Sequence, residues 1–148
     1  NISNVSHTRN MFSQSEFNGD ISKWDVSKVE NMGYMFSNSQ FNTDISQWDT
    51  SEVKDMRGMF FQSKFNQDIS QWNTSNVLDI HAMFELSQFN KDISKWNTSK
   101  VENMASMFYL ADFNQDISKW NVENVQNVQE MFYLRQIHNN RLNQKNTK

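Results

Sequence analysis

The chain has 148 residues, a hydrophobic fraction of 36% and a mean hydropathy of −0.82, so aliphatic content alone leans toward a disordered chain. Twelve Phe, five Trp and three Tyr argue the other way, because large rings carry the greatest burial energies and point to an aromatic core. A net charge of −3 offers no positive excess for nucleic acid or anionic lipid; the longest apolar run, Met107 to Ala111, is too short to span a membrane, and the lack of Cys removes disulfide and thiolate chemistry.

Residues 1–16 open the chain in mid-pattern. Val5, Met11 and Phe12 match the second half of a unit that is complete only further on, so this segment reads as a partial repeat of something longer. Residues 17–136 hold five whole units of 24 residues without an insertion. Phe17, Phe41, Phe65, Phe89 and Phe113 mark one phase, and Trp24, Trp48, Trp72, Trp96 and Trp120 another. Asp20, Asp44, Asp68, Asp92 and Asp116 each precede Ile-Ser, and Met-Phe pairs recur from Met35-Phe36 to Met131-Phe132. Past Gln136 the pattern dissolves: Ile137 keeps the Phe phase but Arg141 stands where Ile is due, so 137–148 reads as a polar cap or tail.

Each unit changes period, which predicts two elements. Val53, Met56, Met59 and Phe60 make one apolar stripe at helical spacing, with Ser27, Ser51, Ser75 and Ser99 placed as N-terminal caps. The D-I-S-x-W half predicts a short strand of about three to five residues. With no Pro and three Gly, the turns fall to Asn and Asp, which tolerate left-handed backbone and bond to their own chain. One 24-residue unit buries too little to offset its ordering entropy, so neighbouring units must stack. The expectation is an α/β solenoid of strand-turn-helix repeats.

The repeat F-N-x-D-I-S-x-W-D-x-S-x-V-x-x-M-x-x-M-F resembles that of the bacterial surface-protein leucine-rich-repeat family called BspA-like, found in mycoplasma surface lipoproteins. The resemblance implies that the solenoid is right-handed and leucine-rich-repeat-like, that it is exported to the cell surface, and that it serves adhesion or protein interaction.

The site expectations follow from the columns that stacking creates. Ser22, Ser46, Ser70, Ser94 and Ser118, with Lys23, Gln47, Gln71, Lys95 and Lys119 before Trp and Gly19, Thr43, Gln67, Lys91 and Gln115 before Asp, define a polar, mildly basic strand face beside the Asp row, suited to protein or glycan contact. Burial is the favoured place for the five Trp, since leaving them in water forfeits several kcal/mol; the alternative is an exposed aromatic strip that binds sugars or proline-rich peptides. The Asp row and the row Asn18, Asn42, Asn66, Asn90 and Asn114 read as turn-forming ladders, a threaded cation being the alternative for Asp. Leu86, Leu110 and Leu134, beside Phe61, Tyr109 and Tyr133, form a late apolar stripe. His7, His81 and His138 fall in three different phases, so no catalytic set, metal site or cofactor is expected. The function expected is a non-enzymatic surface interaction module that touches neither nucleic acid nor the bilayer. A structural spacer or self-associating stalk is the alternative.

Overall fold

The computed structural model describes residues 1–133, so the cap expected at 137–148, Leu134 and His138 lie outside the described residues. The segment read as a helix is a run of tight turns. Amides of Met32, Tyr34, Phe36 and Asn38 donate to Asp55, Arg57, Met59 and Phe61 carbonyls in the next coil at 2.7–2.9 Å, while those of Met35 and Ser37 donate back to Met32 and Tyr34. The same alternation recurs from Met56, Ile80 and Met104. Half of the amides that a helix would use internally therefore bind the neighbouring coil.

Left-handed residues cause this switch. Asn10, Tyr34, Gly58, Ala82, Ser106 and Glu130 form one column of positive φ, and Gln14, Asn38, Gln62, Leu86 and Leu110 form a second. A residue at φ near +55° ends a right-handed turn after about four residues and turns the following amides along the stack. Two such turns in succession give the 3-and-4 spacing of a helix without its i→i−4 bonds. A helix this short is marginal alone, whereas each stacked coil presents carbonyls at the needed spacing.

The D-I-S-x-W half is not a strand either. Asp44 Oδ1 accepts the Ser46 amide at 2.8 Å, and the Trp48 amide donates to Ile45 at 3.2 Å, so the chain reverses where extended backbone was expected. Parallel pairing is confined to single residues, in the column His7, Asn31, Asp55, Asp79, Asn103 and Asn127. The expected α/β strand-turn-helix solenoid is thus overturned. Among the described residues there is no helix and no strand longer than one residue, and successive 24-residue coils of turns lie over one another.

Aromatic ladders fill the interior. Phe36 stacks on Phe60 at 5.7 Å and Phe41 on Phe65 at 6.1 Å, with ring planes within 6°, and the two ladders touch at Phe36–Phe41, 4.1 Å apart. These offset distances suit rings whose faces carry like partial charge. Met32, Met56, Met104 and Val29, Val53, Val101 close the core. Buried hydroxyls join coils: Thr50, Thr74 and Thr98 donate to Asn73, Asn97 and Asn121 carbonyls at 3.0, 3.0 and 2.8 Å. Among the described residues, no buried side-chain nitrogen or oxygen lacks a partner.

The left-handed columns make a stability test. Gly58 has φ +57°, and a Cβ there would run into the Tyr34 ring, so Gly58→Ala is expected to destabilise by more than about 1 kcal/mol. Exposed Gln62 has φ 51°, so Gln62→Gly should gain about 0.5–1 kcal/mol by relieving backbone strain. Equilibrium urea unfolding reads both signs.

Candidate interaction face

The Trp column lies inside the stack. Trp48, Trp72 and Trp96 are each 4% exposed and Trp120 7%, while Trp24, at the first coil, is half-buried. An exposed aromatic strip is therefore ruled out. Each buried indole keeps its polar edge satisfied: Nε1 of Trp48, Trp72, Trp96 and Trp120 donates to Ile21, Ile45, Ile69 and Ile93 carbonyls of the preceding coil at 3.0–3.1 Å. The same Ile carbonyls accept the Trp backbone amide of their own coil, so both lone pairs are used. No motif announces this bond; the fixed Ile-to-Trp spacing is its only trace in the sequence.

Three Asx turns shape every full coil and set out the polar face. In one coil Oδ1 of Asp68, Asn73 and Asp79 accepts the amides of Ser70, Ser75 and His81, two residues on. Asp and Asn interchange at the second position, Asp25 and Asp49 giving way to Asn73, Asn97 and Asn121, because one neutral or charged oxygen serves equally. The helix-cap role expected of Ser27, Ser51, Ser75 and Ser99 is corrected here: their amides are themselves capped by Asp or Asn. The Asn ladder is direct, Asn42, Asn66, Asn90 and Asn114 each donating a backbone amide to the Asn Oδ1 one coil earlier, at 2.8–3.0 Å.

On this scaffold the expected site residues occupy a turn rather than a strand face. Ser22, Ser46, Ser70 and Ser94 are half-buried and Ser118 exposed, while Lys23, Gln47, Gln71, Lys95 and Lys119 point to solvent. The Asp column runs beside them, Asp44 sensing the charges of Asp20 and Asp68. Gln67, Asp68, Ser70, Lys91, Asp92 and Lys95 line a shallow groove of about 470 Å³, and Asp92, Ser94, Gln115, Asp116 and Lys119 line the next. Gln67 and Lys91 belong to the phase that precedes each Asp, which the sequence reading includes in this polar face. The late apolar stripe is half-buried at Phe61, Leu86, Tyr109 and Leu110 and exposed at Tyr133, whose ring lies 5.1 Å from Tyr109.

The carboxyls of Asp20, Asp44, Asp68, Asp92 and Asp116 are held below the usual 3.8, first because the Ser amide two residues on donates to each. A depressed folded pKa adds stability above the unfolded value, and that stability is lost as pH falls through the folded one. The melting temperature is thus expected to hold from about pH 7 to 5 and to fall below about pH 4. Asp44→Asn keeps the accepting oxygen, so it should melt like the parent at neutral pH and lose less in acid. Thermal denaturation followed by tryptophan fluorescence checks both.

Elsewhere Lys54 pairs with Glu30 and Arg57 with Asp55, both at 2.7 Å, and among the described residues no ion pair takes a lysine of the groove. His7 Nδ1 meets Ser6 Oγ at 2.8 Å and His81 Nδ1 meets the Ala105 carbonyl at 3.0 Å. Among the described residues no group of three His, Cys, Asp or Glu is placed to hold a metal ion, and no helix is long and apolar enough to cross a membrane.

A family model described as Mycoplasma protein of unknown function, DUF285, matches residues 1–88 and again residues 61–148. The chain belongs to this family. Two overlapping matches to one DUF285 model fit the 24-residue periodicity and mark a repeat protein. Searches of curated proteins and of solved structures return no match.

Proposed function

We propose that this chain is a non-enzymatic interaction module of a cell-surface protein, which binds a protein or glycan on another surface through its Asp–Ser–Lys/Gln face. The observation that carries the reading is the groove of Gln67, Asp68, Ser70, Lys91, Asp92 and Lys95. Its Asp carboxylates are engaged by the Ser two residues on, and among the described residues no hydrogen bond or ion pair takes the ammonium groups of Lys91 and Lys95, which are thus able to meet a ligand. The groove recurs one coil further, so an extended ligand can meet the same chemistry more than once. The resemblance of the repeat to that of the BspA-like surface family is the support for the location and the adhesive role.

Glycan and protein arrays probed with the 148-residue chain test this reading. A ligand found there is expected to lose about tenfold or more in affinity with Lys91→Glu/Lys95→Glu, while stability shifts by no more than about 0.5 kcal/mol. No binding up to high micromolar concentration, or binding indifferent to that double change, would overturn it.

A further inference from the structure

The groove between the two interior coils that carry Asp68 and Asp92 has unlike walls. On the Asp68 side the donors are already committed: Gln67 Nε2 donates to the Asn42 carbonyl and Oδ1 at 3.2 and 3.1 Å, Gln71 Nε2 donates to Ser70 Oγ at 3.3 Å, and the Ser70 amide donates to Asp68 at 2.8 Å. Acceptors remain. Gln67 keeps its Oε1, and the exposed Asp68 carboxylate has about four lone-pair sites, of which the Ser70 amide and hydroxyl fill at most two.

The other wall is the reverse. Lys91 and Lys95 flank Asp92 in one coil, both are exposed, and among the described residues no hydrogen bond or ion pair takes either ammonium group. Exposed Lys119 repeats this in the adjoining groove, one coil further on. No aromatic, Leu, Ile, Val or Met side chain lines either groove. A peptide partner, whose binding rests mainly on buried aromatic or aliphatic anchors, therefore finds no seat for one. A ligand that carries only anions would set some of them against the Asp column. What fits is a molecule with O–H donors along one edge and an acid on the other.

Resting on the reading of this face as an interaction site, we propose that the groove takes a sugar acid, a glycan unit whose carboxylate meets Lys91 and Lys95 while its hydroxyls donate to Gln67 Oε1 and the Asp68 carboxylate. The lysine contacts are charge-assisted and the hydroxyl contacts fix the orientation of the ring. A second carboxylate further along the same glycan meets Lys119, so an oligomer binds more tightly than a single unit.

Isothermal titration of the 148-residue chain with oligomers of galacturonate, alginate and hyaluronan tests this. Each is also supplied carboxyl-reduced, which removes the acid, and O-methylated, which removes the donors; dextran sulfate and polyglutamate serve as plain polyanions. At least one uronate oligomer is expected to bind, to lose about tenfold or more in affinity with either modification or with Lys91→Gln/Lys95→Gln, and to weaken as salt rises. Near-ultraviolet dichroism of the Trp column checks the fold of the variant, and if it does not fold the ligand series alone decides. Binding by none of the three oligomers, equal binding after carboxyl reduction or O-methylation, or binding of dextran sulfate or polyglutamate as tight as that of the uronates overturns the assignment. A neutral glycan or a peptide found on the arrays and sensitive to the lysine changes overturns the sugar acid while leaving the interaction module standing, whereas empty arrays overturn both.

Discussion

Trp72→Ala is expected to lower unfolding stability by about 3–5 kcal/mol, among the largest losses available to a single change in this chain. Three contacts vanish together: the stack on Trp48 at 6.4 Å, the tilted packing against Phe60 at 6.4 Å, and the Nε1 bond to the Ile45 carbonyl at 3.1 Å. The cavity opens in mid-stack with a coil on either side, so little can collapse into it. Trp72→Phe separates the parts, since it keeps most of the apolar filling, loses the indole donor, and should forfeit about 1 kcal/mol for the hydrogen bond in addition to a smaller packing loss. Trp24→Ala should cost markedly less, as that ring is only half-buried. Urea titration with matched m-values measures all three. Unchanged stability of Trp72→Ala would mean that the ring lies outside the core.

Phe60→Ala should cost a similar amount, about 3–5 kcal/mol, for a different reason. Phe60 is a ladder junction: it stacks on Phe36 and Phe84 at 5.7 and 5.8 Å and on Phe65 at 4.1 Å. Its loss breaks two ladders at one level. Because coils contact only their neighbours, the weakened level is also where the stack should part, giving a broader unfolding transition. Phe132→Ala is the control, for a ring 53% exposed at the end of the same ladder should cost no more than about 1 kcal/mol. Equal losses at Phe60 and Phe132 would contradict a core built from stacked rings.

The face proposed for binding was legible in part. Ser and Lys/Gln phases next to the Asp row could be named from spacing alone, because in-register stacking turns a repeat position into a column. Gln67 and Lys91, in the phase that precedes each Asp, could be named in the same way, although that phase also holds Gly19 and Thr43. The groove depends on which two coils face each other, and that is a property of the pile.

By itself, the sequence determined the 24-residue step, the identity of the columns and the composition of the core, because identical spacing forces like side chains over one another once units must share burial. It also determined that Asn and Asp would make the turns, since no Pro is present and Gly is scarce. Only the tertiary structure decided between helix and turn. Met56, Met59 and Phe60 have the same spacing in both, and the outcome rests on whether amides such as those of Tyr34 and Phe36 bond within their coil or to Arg57 and Met59 in the next. Those carbonyls exist as partners only when a second coil is in place, and the same holds for the Ile carbonyl that draws each indole inward. The choice of hydrogen-bond partner is made between coils, out of reach of any pattern read within one.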